Sequence, residues 1–382
     1  MAPLALEAPL LMRDRVQSAR RVLVKIGTNA LTQATGRFNR NHFDRLCEDL
    51  RWVAQGRELV VVSSGAVALG VEALQLASRP RDIPGKQACA AVGQSRLMRA
   101  YEDAFAAQGL VVAQLLLTHE DVQDRRRYLN ARHTLKRLLA ARVVPIINEN
   151  DTVSVDELKF GDNDTLAGLV AGLVDPDLVV ILSDVEGLYD SDPRGNPRAA
   201  LIAEVQGVTA ALLDACGGSV SGFGTGGMAT KVRAAERVNE LGIPCVIASG
   251  QTPGKLRDVL EGKPVGTLFL PEPTKRNARA AWIAHALFPK GKIWVDDGAR
   301  KAVGELKRSL LPSGIQRVEG LFYTGDPVDL VAADGTPFAR GLVSYGSEEL
   351  ARIAGRKSSD IDAVLGYHGL DEAVHRDDLV VL

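Results

Sequence analysis

With 382 residues, 46% of them hydrophobic and 24% charged, the chain is long enough for two to three domains with sizeable buried cores. A net charge of −1 gives no support to a whole-protein role on nucleic acid or an anionic membrane surface. Four widely spaced cysteines (Cys47, Cys89, Cys216 and Cys245) and histidines without His-x-x-x-His spacing argue against a disulfide framework or zinc site, and for a reducing compartment. No apolar run reaches the roughly 18 residues of a membrane helix; the longest, 166–182, is broken by Asp175 and Asp177. Residues 1–18 carry Glu7 and no basic start, so they read as a loose extension and not as a signal peptide. A cytoplasmic enzyme is the expectation.

In chain order, Arg21-Val-Leu-Val-Lys25-Ile-Gly27-Thr28 predicts a buried strand running into a turn. Its lysine belongs either at an edge with its head in water or, beside Gly27 and Thr28, at an anion site. Phe43, Leu46, Leu50 and Val53 recur at helical spacing over 39–55. A second strand, 58–63, ends in Ser63-Ser64-Gly65-Ala66. There follow a helix over 84–108, a strand over 110–117, a helix over 124–140, and a fourth strand over 143–147 that feeds Asn148-Glu149-Asn150-Asp151. This alternation predicts α/β layers on a mostly parallel sheet, whose ligands collect at the carboxyl ends of the strands. Those ends carry Lys25, Ser64-Gly65 and Asn148 to Asp151.

Asp162-Asn163-Asp164 precedes an apolar helix over 165–173 and suits two roles: capping that helix, or orienting cationic side chains or a metal. A strand over 178–184 ends in Ser183-Asp184. Residues 217–231 hold six glycines in their first eleven positions and close with Lys231 on a helix start, the pattern of an anion cradle. The spelling Gly222-Phe-Gly224-Thr-Gly226-Gly227 fits a dinucleotide fingerprint, but 210–216 reads as a helix and the following strand ends in Ser249-Gly250 where an acid is needed. A P-loop requires Gly-Lys-Ser/Thr, whereas Met228 follows Gly227; a protein kinase requires His-Arg-Asp and Asp-Phe-Gly. A phosphate cradle of another type remains, with Lys25 and Lys231 contributed from opposite ends of the domain.

Strands over 244–248 and 266–270 close this region, and Pro271 and Pro273 punctuate it. A linker with a helix spans 274–290. From Gly291, short β-like runs cut by glycine turns predict a small β-rich domain over 291–370, followed by a tail over 371–382. Between Gly291 and Gly369, ten basic residues face eleven acidic ones.

Six stretches carry a resemblance: Lys25-Ile-Gly-Thr28, Ser63-Ser-Gly-Ala66, Ala91-Val-Gly-Gln-Ser-Arg96, Ile147-Asn-Glu-Asn-Asp151, Gly161-Asp-Asn-Asp164 and Gly224-Thr-Gly-Gly-Met-Ala-Thr-Lys231. In this order, over nearly the whole chain, they resemble the glutamate 5-kinase family of the amino acid kinase superfamily. Val295-Asp-Asp-Gly298-Ala299 and Gly366-Tyr-His368 resemble the PUA domain appended to many members. The resemblance implies a three-layer αβα sandwich over 19–273, with a mostly parallel sheet of about eight strands. It implies ATP-dependent phosphorylation of the γ-carboxylate of L-glutamate, the first step toward proline, with Mg²⁺ held mainly by the ATP phosphates. Inhibition by proline, hand-over of an acyl phosphate to a reductase, and a homo-oligomer are implied as well.

Carried to the matching positions, Lys25 and Lys231 hold the transferring phosphoryl group and Asp164 orients them. Ser64, Asp151 and Asn163 bind glutamate. Ser183, Asp184, Thr225, Gly226, Gly227, Met228, Ala229 and Thr230, with both lysines, contact ATP. Ser183 stands where the family pattern has threonine and keeps the hydroxyl. Ala229 stands where serine is common, which a backbone contact survives and a hydroxyl contact does not. The rivals are an aspartate, carbamate or uridylate kinase of the same superfamily and, from another class, an RNA-binding protein, which the near-neutral balance of the β-rich domain disfavours.

Overall fold

The computed structural model describes residues 13, 16–33, 35–153, 163–193, 195–209, 212–213, 216, 227–271, 289–367 and 369–382. The expected linker helix, the glycine-rich residues 217–226, and Gly161-Asp162 lie outside the described residues. The chain divides into two units, Met1–Arg276 and Asn277–Leu382.

The first unit is built on eight strands: β1 (Arg21–Ile26), β2 (Glu58–Ser63), β3 (Val112–Leu117), β4 (Val144–Glu149), β5 (Leu178–Ser183), β6 (Glu204–Gln206), β7 (Cys245–Ser249) and β8 (Thr267–Leu270). They lie in the order β3-β4-β2-β1-β5-β7-β8-β6. Neighbours run parallel except β7 and β8. Successive strand residues face opposite sides of the sheet, and here both sides are core. Val22, Val24, Ile26, Leu59 and Val61 join one cluster, with Phe43 and Leu50 of helix Arg40–Gly56 and Leu97 and Tyr101 of helix Ile83–Ala106. Leu23, Val60 and Val62 join the other, with Leu166 and Val170 of helix Asn163–Val174 and Val232 and Val238 of helix Met228–Glu240. Burial on both faces is why these strands read as continuous apolar runs. Lys25 lies two residues past Leu23 and so faces the second helix layer.

In this unit the sequence reading is adjusted at several points. The third strand begins at Val112, two residues late. The three-residue β6 was not expected, being too short for a periodic signal, with only Val205 buried. Within the supposed loose extension, Val16 is buried in the first cluster together with Ala19, just beyond its end.

On the first helix layer, Ala66–Ala73 and Ile83–Ala106 pack backbone against backbone. A Cβ on Gly70 would lie 1.8 Å from the carbonyl oxygen of Cys89, and one on Gly93 would lie 1.8 Å from that of Ala66. No side chain fits at either position.

The second unit carries β9 (Gly291–Val295), β10 (Ile315–Gly320), β11 (Pro327–Val331), β12 (Pro337–Val343) and β13 (Val374–Val381), in the order β10-β9-β11-β12-β13. All neighbours are antiparallel except β9 and β11. Residues 371–382, read as a tail, supply β13, which pairs with β12 from Val374 to Val381. The run His375-Arg-Asp-Asp378 breaks the apolar alternation there and hides the strand in the sequence.

Candidate active site

The carboxyl ends of β1, β2, β4 and β5 converge on polar side chains. At the centre, Asp164, fully buried in the first turn of Asn163–Val174, holds two ammonium groups. Lys231 Nζ donates to its Oδ2 at 3.0 Å, and Lys25 Nζ meets its Oδ1. Both lysines are themselves buried. Thr230 Oγ1 donates to the Gly227 carbonyl at 2.8 Å and lies 3.4 Å from Asp164 Oδ2. Buried charges persist only when paired and hydrogen-bonded. Two ammonium groups held on one buried carboxylate gather positive charge where an anionic phosphoryl group can be received. The side-chain oxygens of Asp164 are engaged with lysines, so its work extends past capping the helix.

Beside the triad, the Gly27 N–H donates to the Leu182 carbonyl at 3.1 Å, and the position its Cβ would occupy is 3.6 Å from Lys25 Nζ. Ser183 Oγ donates to Asp184 Oδ1 at 3.0 Å, and Asn29 Nδ2 donates to Asp184 Oδ2 at 2.9 Å. Partial burial works to raise the Asp184 carboxyl, but the hydrogen bonds from Asn29 and Ser183, its own N–H and the Lys231 charge outweigh it and hold it below the usual range. Gly227, Met228, Ala229 and Thr230 form the start of helix Met228–Glu240, which has no side-chain cap at Gly227. Uncapped N–H groups at a helix start favour anionic oxygen. Thr225 and Gly226 lie outside the described residues.

On the other flank, Asn163 Nδ2 donates to Ser64 Oγ at 2.8 Å, to Asn148 Oδ1 at 3.0 Å and to the Ser63 carbonyl at 3.2 Å. Asn148 Nδ2 donates to Gln94 Oε1 at 2.9 Å. Ser63 Oγ shares a 2.7 Å hydrogen bond with the Tyr101 hydroxyl. Asp151 stands half-buried in the turn two residues past β4. The fold therefore gathers Lys25, Asp164 and Lys231 into one cluster and Ser64 with Asn163 into its neighbour. It adds Asn29, Asn148 and Gln94, which the sequence reading left without a role. Asn148 and Gln94 were legible only as polar residues at a strand end and on an otherwise buried helix stripe.

The amino acid kinase family model matches residues 20–249. The chain belongs to the amino acid kinase family. The PUA domain model matches 291–365, within the second unit. A protein of Myxococcus xanthus (strain DK1622) described as glutamate 5-kinase is 70% identical over 97% of this chain and 98% of its own length. Proteins with the same description from Anaeromyxobacter dehalogenans (strain 2CP-C) and Pelobacter propionicus (strain DSM 2379) are 51% and 50% identical, each over 97% of this chain and over 98% and 100% of their own lengths. The three-layer architecture around a mostly parallel sheet is thus the amino acid kinase fold, and a kinase of this family takes ATP as co-substrate. No described helix of this amino acid kinase is long and apolar enough to cross a membrane. Among the described residues no group of three or more His, Cys, Asp or Glu could hold a metal ion.

Proposed function

We propose that this amino acid kinase transfers the γ-phosphoryl group of ATP to the γ-carboxylate of L-glutamate, the step that commits glutamate to proline. The observation that carries the chemistry is the buried Lys25–Asp164–Lys231 triad; the substrate follows from relatives of that description along nearly the whole chain. A glutamate oxygen attacks the γ-phosphorus in line, the bond to the β,γ-bridging oxygen breaks, and ADP leaves with the electron pair. The carboxylate is already ionised near neutral pH, so no general base is required. Both reactants are anions, and phosphoryl transfer depends mainly on positioning and on neutralising oxygen charge. Lys25 and Lys231 supply that neutralisation and Asp164 fixes their spacing. Ser183, Asp184 and the loop from Thr225 to Lys231 receive ATP. Mg²⁺ rides mainly on the ATP phosphates. Ser64, Asn163 and Asp151 hold glutamate, with Asp151 opposite its ammonium.

The same reading includes a cytoplasmic homo-oligomer, inhibition by proline at the glutamate site and delivery of the labile acyl phosphate to a reductase. An ADP-release assay against glutamate, aspartate, carbamate and UMP tests the substrate, with proline added in a second series. Turnover of glutamate well above the others is expected; preference for any other acceptor sinks the reading. RNA recognition by the PUA domain would instead show as salt-dependent binding at physiological ionic strength.

A further inference from the structure

Gln94 occupies an odd place. Along helix Ile83–Ala106 the buried stripe runs through Ala90, Gly93, Leu97, Ala100 and Tyr101, and Gln94 falls on that stripe, four residues after Ala90 and seven before Tyr101. Gly93 fixes it there, since the helix backbone presses on Ala66 and Gly70 too closely to allow any Cβ. Both polar groups of the stripe reach strand ends: Tyr101 bonds Ser63 at the end of β2, and Gln94 bonds Asn148 in β4.

The direction of the Gln94 amide is set by its neighbours. The Glu149 backbone N–H donates to Asn148 Oδ1 at 2.9 Å. A backbone N–H can only donate, so that atom of Asn148 is the carbonyl oxygen and its other terminal atom is the NH₂. That NH₂ donates to Gln94, which must present Oε1 to it and turn Nε2 elsewhere. The same polarity runs on to Asn163, whose NH₂ donates to Asn148 Oδ1 and Ser64 Oγ. Three amides in series therefore leave two ends over. Gln94 Nε2 and Asn163 Oδ1 are buried atoms without a hydrogen-bond partner among the described residues. Leaving a buried donor or acceptor unsatisfied is costly, so such atoms call for a partner the described residues do not supply, a water or a ligand.

We infer that Gln94 is a specificity-determining residue whose amide N–H donates to the α-carboxylate of the amino-acid substrate. The inference rests on the glutamate reading above. The reacting γ-carboxylate belongs at the two lysines, leaving the α-carbon end for this flank. That carbon carries one anionic acceptor and one cationic donor, the complement of an orphaned N–H and an orphaned carbonyl. Gln94 donates to the carboxylate while the Asn163 carbonyl accepts from the ammonium, and Asn148 sets both amides.

The test measures kcat and KM of the full chain for L-glutamate, and for its α-amide as substrate or as competitive inhibitor, in wild type, Gln94→Glu and Gln94→Met. Gln94→Glu sets a carboxylate against the α-carboxylate, so the glutamate KM should rise at least about tenfold while the ATP KM stays within about twofold. Preference for glutamate over its α-amide should fall by a similar factor, because the introduced carboxylate accepts from an amide. Gln94→Met, which keeps the size and removes the donor, should raise the glutamate KM and erode the same preference. An unchanged glutamate KM in a variant that unfolds thermally like wild type overturns the inference. So does an equal loss toward both substrates, which would leave Gln94 only holding Asn148. If Gln94→Glu fails to fold, Gln94→Met decides alone. A wild-type chain inert to glutamate but active on aspartate, carbamate or UMP overturns the substrate reading itself, a result distinct from either of these.

Discussion

Lys231 donates to Asp164 at 3.0 Å across 67 residues of sequence, and the carboxylate that receives it has no solvent exposure. One helix start is thereby pinned to another, and Lys25 reaches the same carboxyl group from the end of β1. Asp164 thus sets the spacing of the two cations, which is what electrostatic catalysis of phosphoryl transfer needs.

If Lys231 neutralises the transferring group, Lys231→Ala should lower kcat by at least about 10²-fold, the usual effect of deleting one transition-state donor. Steady-state kinetics at saturating ATP and glutamate measure it. Near-normal turnover would remove Lys231 from the chemistry.

Asp164→Asn should damage both rate and stability. Asparagine still suits a helix start, but it leaves two buried ammonium groups without their carboxylate. Breaking a buried pair in this way typically costs about 3–5 kcal/mol, so the thermal midpoint should fall along with kcat. An unaltered midpoint and an unaltered kcat would return Asp164 to a capping role alone.

Asn29 gives a pH-dependent test at the rim. Its hydrogen bond helps hold the Asp184 carboxyl below the usual range, against the opposing effect of burial. A depressed folded-state value means the contribution is complete above the unfolded value and is lost as pH falls through the folded one. Asn29→Ala should raise the folded value, so that loss sets in at higher pH. Carboxyl NMR titration of Asp184 reads the shift directly; a titration curve that does not move upward contradicts the assignment.

The α/β layering was legible because strands buried on both faces read as apolar runs, and Lys25 was conspicuous as a charge inside one of them. The pairing of Lys25 and Lys231 through Asp164 was not legible from spacing. It depends on Lys25 sharing a sheet face with Leu23, under the helix that starts at Asn163, and it came from the resemblance. Gln94 carries no sign of its role in the sequence, since its partner Asn148 lies 54 residues on and faces it only through the strand order. β13 escaped because its acidic residues interrupt the alternation that announces a strand.

Asp151 sits in the turn two residues past β4, the strand whose Asn148 accepts from Asn163. Asp151→Ala should therefore raise the glutamate KM and leave the ATP KM nearly unmoved, as expected for a group that binds away from the reacting end. A change in the ATP KM would show that the division of the site into two flanks is drawn in the wrong place.

Gly93→Ala should invert an ordinary rule. Within a helix, alanine is favoured over glycine by about 1 kcal/mol. At Gly93 the added Cβ would fall 1.8 Å from the Ala66 carbonyl oxygen and 2.6 Å from the Gly70 nitrogen, both of them backbone atoms that cannot swing away. The helices must separate, and overpacking of this kind costs about 1–3 kcal/mol. The displacement would also carry Gln94 off Asn148 and disturb the Ser64-Gly65 turn that opens helix Ala66–Ala73. Denaturant unfolding should give a lower midpoint, and the glutamate KM should rise more than the ATP KM. A variant as stable as wild type would mean the two helices part without penalty, and Gly93 would then not be what fixes Gln94 at the strand end.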